Sequence, residues 1–277
     1  MGGLLTRADE AILRAMHRYR FMTVEDVTFL LFSPGALTYV RALLKDLSGE
    51  DFETDRHLYR FRMPDTKRGN PHRVYTLGRR GRQYGEAVLG LSVDWHFQPE
   101  RSRLAGFHHL QHSLALTKVL VAAEKWSGQQ GLYQLTETRT SYELSRLRQL
   151  KQAALAIPDA WLLFLKGEGK HPVALEIDLG SENLAKFKQH IASRINFIQS
   201  GQYEEVFGTR AVLIVYLVIG DKESAEWLKE RAERLRQWTK ETLRDMGLDN
   251  WIGIFKFASF PIEGIYKLEL FTEFLFK

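Results

Sequence analysis

The sequence predicts an α+β protein of two domains, on three observations. At 277 residues the chain exceeds the roughly 100–200 residues of a typical single domain. Its first part carries apolar residues at helical spacing, closed by a strand-like hairpin pattern. Beyond residue 130, strand-like runs alternate with helical ones. The expected boundaries are a first domain over 1–92, a linker over 93–106 and an α/β domain over 107–277.

The bulk composition supports packed cores. Hydrophobic residues make up 44% and charged residues 26%, with 17 Phe and 6 Trp, as in ordinary folded proteins. Cysteine is absent, which excludes disulfide frameworks, thiolate zinc sites and cysteine nucleophiles. The N-terminus shows no signal-peptide pattern. The longest apolar run, Ala211 to Ile219, falls far short of the about 20 residues that a membrane span needs. A cytoplasmic protein with no membrane partner is the expectation.

In the first domain, Ala11, Ile12, Ala15 and Met16 mark a helix over Thr6 to Tyr19. Thr23, followed by Glu25 and Asp26, signals a second helix start, and Val24, Val27, Leu30 and Leu31 give its apolar side. Ser33, Pro34 and Gly35 form a turn. A third helix runs from Ala36 to about Leu47, with Leu37, Val40, Leu43, Leu44 and Leu47 inward. Two strands are expected at His57 to Met63 and Arg73 to Leu77, with Lys67 to Pro71 as the hairpin tip, then a helix around Arg82 to Leu89. Three helices and a basic hairpin are the order of a winged helix-turn-helix, in which the helix after the turn enters the major groove of DNA.

Charge points the same way. Arg56 to Arg82 contains nine Arg or Lys and one acid, Asp65, a local excess of +8 against +5 for the whole chain. Dense positive charge on one element is the footprint of polyanion binding. On the third helix, Thr38, Arg41 and Lys45 are the candidates to face base edges. Arg60, Arg62, Lys67, Arg68 and Arg73, with Arg79 and Arg80, are the candidates to meet phosphates. The expected partner is double-stranded DNA. A winged helix used for protein contacts is the competing reading.

A long helix follows from Phe107. Its His108, His109 and His112 are spaced three and four apart, so either pair could share a face and bind a metal. The metalloprotease HExxH pattern is absent, and a surface or DNA-facing role is the preferred reading.

In the second domain, strands are expected at Leu132 to Thr138, at Ala160 to Leu165 paired with Val173 to Ile177, at Ala211 to Ile219, at Trp251 to Phe257 and at Lys267 to Phe276. Helices are expected over Glu143 to Ala156, Ser181 to Ser200 and Lys222 to Asp245. Glu176 and Asp178, two apart on a strand, share a face, and the hairpin could bring Asp159 beside them. Three converging carboxylates repel unless a hard cation joins them, which suits Mg²⁺ or Mn²⁺. Such an ion activates an attacking water. Lys188, four residues after Leu184 of the helix's expected apolar stripe, is the candidate helper, and Lys186 is expected to point away.

The order PD…ExD between paired strands, then a helix and a buried strand, resembles the PD-(D/E)XK nuclease fold. That resemblance implies Asp159, after Pro158, as the first acid and Glu176 as the second. Asp178 stands where lysine is usual, so the resemblance leaves Lys188 to supply the amine. The chain also resembles the replication-relaxation family of plasmids and other mobile elements, through RVYTLGRRGR at 73–82, FHHLQHSLAL at 107–116, IPDAWLLF and ALEIDLGSENLAKFKQHI. Arg194 departs from that family's pattern, where an aromatic residue is commoner. The resemblance implies a role in replication, relaxation or mobilisation, with possible homodimer or mobile-element protein partners. Asp159, Glu176, Asp178 and Lys188 then form either a Mg²⁺-dependent nicking site or the remnant of one in a non-catalytic initiator, regulator or assembly factor.

Overall fold

Two reciprocal capping boxes launch the first helices. Thr6 and Asp9 exchange side-chain and backbone hydrogen bonds at the start of α1 (Arg7–Tyr19), and Thr23 and Asp26 do the same for α2 (Val24–Leu31). Each cap is worth about 1 kcal/mol. The structure is a computed structural model that describes residues 5–63, 73–102, 106–150, 153–220, 224–267 and 271. The chain divides into two compact units, Met1–Val121 and Ala122–Lys277.

In the first unit, a 3₁₀ turn at Pro34–Ala36 joins α2 to α3 (Leu37–Ser48). Strands β1 (Leu58–Arg62) and β2 (Arg73–Leu77) form an antiparallel ribbon, and Met22, between α1 and α2, bridges to Tyr75. Then come α4 (Arg79–Ala87), the short α5 (Pro99–Ser102) and α6 (Phe107–Gln130), which passes into the second unit. Phe21, Tyr59, Phe61 and Val74 pack with Leu110 and Leu114 of α6 into one core. Thr117 Oγ1 donates to the Tyr19 carbonyl, and Lys118 Nζ lies 3.3 Å from the fully buried carboxylate of Asp26. The expected hairpin tip at 67–71 lies outside the described residues.

The second unit is built on a five-stranded sheet in the order β3-β4-β5-β6-β7. β3 (Gln134–Thr140), β4 (Ala160–Lys166) and β5 (Gly169–Asp178) are antiparallel neighbours. β6 (Leu213–Gly220) and β7 (Phe255–Pro261) continue in parallel. The mixed sheet follows from the connections. The β4–β5 link is a tight turn with Gly167 at φ +57°, whereas parallel pairs need helical crossovers. Those crossovers are α8 (Leu184–Gln199) with α9 (Gln202–Phe207), and α10 (Ala225–Asp245). Phe187, Ile191 and Ile195 of α8 pack with Leu228, Ala232 and Leu235 of α10 over Ala174, Tyr216 and Val218. On the other face, Trp126 of α6 meets Phe164 and Phe271 edge-on or tilted.

Three expectations change. The helix expected over Glu143 to Ala156 is instead the single turn α7 (Ser141–Leu144) followed by 3₁₀ turns at Arg148–Leu150 and Ala154–Ala156. Its buried anchors Leu144, Leu150 and Ala156 fall six apart, a spacing that scatters around a 3.6-residue helix. The strand expected from Trp251 starts at Phe255, because Asp249–Ile254 forms a 3₁₀ segment whose Trp251, Ile252 and Ile254 pack on the α8/α10 core. Of the strand expected at Lys267 to Phe276, only 267 and 271 are described, and Lys267 ends a 3₁₀ segment.

Candidate functional site

The first candidate surface belongs to α3 and the ribbon. Val40, Leu44 and Leu47 are buried, which turns the opposite stripe of α3 to solvent. Thr38, Arg41 and Lys45 are all exposed and lie on one side at spacings of three and four. Tyr39 beside them is 55% exposed, its ring edge-on to Phe32. Glu25 approaches Arg41 only at 4.0 Å.

On the ribbon, Arg62 and Arg73 are direct cross-strand partners and both are exposed. Arg60 differs, because its side chain is buried. All three converge on Asp51, just after α3. Arg60 Nε is 2.6 Å from Asp51 Oδ1, Arg62 Nε 3.0 Å from Oδ2 and Arg73 Nε 3.4 Å from Oδ1. Burial would raise the Asp51 carboxyl. The Arg62 hydrogen bond and the charges of Arg60 and Arg73 outweigh it and hold the group below its ordinary range. Arg56 pairs with Glu53 at 2.5 Å, and Arg80 with Asp55 at 2.9 Å. Arg79 is exposed. Lys67 and Arg68 lie outside the described residues. Thus an acidic segment immediately before the basic stretch folds back on it. Arg60 is placed as an interior tie rather than an exposed phosphate ligand.

The second candidate lies at the carboxyl end of β5. The β4–β5 register pairs Ala160 with Leu175, so one step further sets Asp159 across from Glu176, and Asp159 Oδ2 accepts from the Ile177 amide at 2.8 Å. Asp159 thus lies across from Glu176, and Asp178 follows two residues along the same strand. Their partners are what sequence reasoning missed. Arg194 of α8 reaches Glu176 Oε1 through Nη2 at 2.5 Å, and its Nη1 donates to the Tyr216 hydroxyl. Arg231 of α10 grips Asp178 with two bonds, Nε to Oδ2 at 2.8 Å and Nη2 to Oδ1 at 3.1 Å, and also donates to the Glu182 carbonyl. Glu182 pairs with His190 Nδ1 at 3.0 Å.

Burial pushes the Glu176 carboxyl well above the usual range, reinforced by the charges of Asp159 and Glu182 and opposed by Arg194. Tyr216 is likewise raised by burial. Lys188 is not at this site. Its amine lies 3.5 Å from Glu241 and 3.9 Å from Asp245 of α10, because the α8 residue that turns towards the acids is Arg194, six positions later. Both arginines sit inside apolar stripes, Ile191–Arg194–Ile195 and Leu228–Arg231–Ala232. A cation in a buried stripe was the available sequence signal.

These carboxylates do not suit Mg²⁺ or Mn²⁺ as they stand. A hard cation needs oxygen ligands free to coordinate it, whereas Glu176 and Asp178 each face a buried guanidinium. Among the described residues no group of three or more His, Asp or Glu could hold a metal ion. That includes His108, His109 and His112 at the start of α6.

The comparison with known families bears on both surfaces. Residues 13–213 match the model of the replication-relaxation family. The chain belongs to the replication-relaxation family. The matched span includes α3, the ribbon, Asp159, Glu176 and Arg194 of this replication-relaxation protein, and stops at the first residue of β6, before Arg231. No curated protein and no solved structure matches the chain. Among the described residues, no helix is long and apolar enough to cross a membrane.

Proposed function

We propose that this replication-relaxation protein is a double-stranded-DNA-binding factor of a plasmid or other mobile element, acting in replication or relaxation of its DNA. In this reading the first unit is a winged helix that holds the duplex, and the second is a nuclease-like α/β domain that does not cut. The observation that carries it is the solvent-facing stripe Thr38, Arg41 and Lys45 on α3, in the same compact unit as the exposed Arg62–Arg73 pair. A helix presenting such residues can enter a major groove while ribbon cations meet phosphates. The pairing of Glu176 with Arg194 and of Asp178 with Arg231 favours the non-catalytic form over a Mg²⁺-dependent nickase.

Fluorescence anisotropy with labelled duplex DNA tests the binding claim. Arg62→Ala and Arg73→Ala should weaken binding to all sequences alike. Arg41→Ala should cost about 1–3 kcal/mol on a preferred site and relax the preference. Unchanged affinity in all three variants would rule the surface out. Incubating supercoiled plasmid with protein and Mg²⁺ or Mn²⁺ tests the second unit, and strand breaks lost in Glu176→Gln would establish the nickase instead.

A further inference from the structure

We infer that Glu53 and Asp55 are built-in stand-ins for DNA phosphate: they hold the exposed Arg56 and Arg80 as neutral pairs and so limit how tightly the first unit grips a nucleic-acid backbone. The inference rests on the reading of that unit as DNA-binding.

The segment between α3 and β1 carries four acids, Glu50, Asp51, Glu53 and Asp55, directly before the basic stretch. Backbone bonds tie it along the ribbon. The Phe52 amide donates to the Arg60 carbonyl at 2.9 Å, the Arg79 amide to the Thr54 carbonyl at 3.2 Å and the Arg80 amide to the Arg56 carbonyl at 3.0 Å. Phe52 holds φ +72°, a conformation that a bulky residue keeps only where its surroundings enforce it. Gly49, at φ +65°, clears the space for one of the pairs, since a Cβ there would lie 2.6 Å from Glu53 Oε2 and 2.8 Å from Arg56 Nε. Glu53 is held from two sides. Its Oε1 accepts from the Glu50 amide at 3.1 Å, and its Oε2 meets Arg56 Nε at 2.5 Å. Asp55 Oδ2 lies 2.9 Å from Arg80 Nη2. Fixed backbone therefore sets these acids against their arginines.

Burial separates two kinds of ion pair in this segment. The Arg60 side chain is 5% exposed on Asp51, so that pair belongs to the interior of the fold. The side chains of Glu53 and Arg56 are 38% and 44% exposed, and those of Asp55 and Arg80 58% and 53%. Pairs this open to water add little to stability. Their larger effect is on what approaches from solvent. An arginine that neutralises a phosphate releases a condensed counterion and gains affinity. An arginine already facing a carboxylate must give it up first, and that carboxylate then repels the phosphate. Carboxylate and phosphate use the same fork of guanidinium donors, so the two compete for one place. Holding Arg56 and Arg80 in this way lowers the sequence-independent part of the affinity and leaves a larger share to base-edge contacts from α3.

The experiment uses the full chain and a fluorescein-labelled duplex of mixed sequence, with anisotropy titrations over a range of chloride concentrations. Glu53→Gln and Asp55→Asn should each bind more tightly than wild type at low salt. Each should steepen the fall of log affinity with log salt by about one, and the double variant by about two. Melting temperatures by circular dichroism should stay close to wild type, because both pairs are exposed. Arg80→Gln separates pairing from general repulsion. In that background Asp55→Asn should leave the slope unchanged, because no guanidinium remains to be released. Slopes unmoved in both single variants, or steepened equally by Asp55→Asn with and without Arg80, would overturn the inference. Either result on a wild type that binds the duplex defeats this inference alone. Failure of wild type and of the double variant to bind the duplex at any salt concentration would defeat the DNA-binding reading with it.

Discussion

Asp51 shows how a single residue resets the meaning of a charge cluster. Three guanidinium groups close on its carboxylate, and their pull holds its pKa below the ordinary 3.8 despite partial burial. A depressed carboxylate favours the folded state at pH values above its unfolded pKa. That contribution is lost as pH falls through the lower folded value. Asp51→Asn should therefore melt below wild type at neutral pH, and the gap should close as the pH falls below the ordinary carboxylate range. Melting curves by circular dichroism across that range check it, and a gap that stayed constant would show that Asp51 acts through its shape and not its charge. This residue was hidden from sequence reasoning for a simple reason. The basic stretch begins at Arg56, and Glu50, Asp51, Glu53 and Asp55 precede it in sequence while folding onto it in space. Glu176 and Asp159 were legible because strand alternation and hairpin register are local rules. Arg194 and Arg231 were not, because their contacts depend on helix placement over the sheet, which no local spacing encodes.

At the scale of elements, two glycines separate close packing from mere sequence preference. Gly81 in α4 has no room for a side chain, since a Cβ there would lie 2.0 Å from the His57 carbonyl oxygen. That atom is backbone at the entry to β1, so it cannot swing aside. Gly81→Ala must push α4 off the ribbon and should cost about 1–3 kcal/mol, the usual range for overpacking. Gly128 in α6 is the control, because a Cβ there meets nothing within 4 Å. Gly128→Ala should stabilise by about 0.5–1 kcal/mol through better helix propensity. Urea denaturation of both variants is the measurement, and equal effects of the two would refute the packing argument. Sequence patterning located these elements well wherever one face is apolar. α1, α3, α8 and α10 announce themselves by spacing, and β6 by its continuous apolar run. It failed over 143–156 and 249–254, where buried Leu144, Leu150 and Ala156, or Trp251 and Ile252, are set by the neighbouring core and not by a helical or strand period.

For the molecule as a whole, the proposed DNA binding turns on how many of its cations are exposed to meet phosphates. The sequence offers nine in the stretch Arg56 to Arg82, with Arg41 and Lys45 on α3. Were all of them to meet phosphates, the logarithm of affinity would fall against the logarithm of salt with a slope of about −10. The structure reduces that number. Arg60 is buried on Asp51, Arg56 and Arg80 are paired with Glu53 and Asp55, and Arg82 is buried with its Nη1 donating to the Phe97 carbonyl. Among the described residues the exposed cations are Arg41, Lys45, Arg56, Arg62, Arg73, Arg79 and Arg80, several of them already facing a carboxylate; Lys67 and Arg68 lie outside the described residues. The expected slope is therefore about −4 to −6. Anisotropy titrations over a range of chloride concentrations give the value directly. Arg62→Gln should make the slope shallower by about one, because an exposed cation is lost. Arg60→Gln should instead lower the melting temperature with little change in slope, because an interior tie is lost and Asp51 keeps its other two partners. A slope near zero would remove the phosphate-binding role of the ribbon, and an equal change of slope in both variants would show that Arg60 reaches DNA after all.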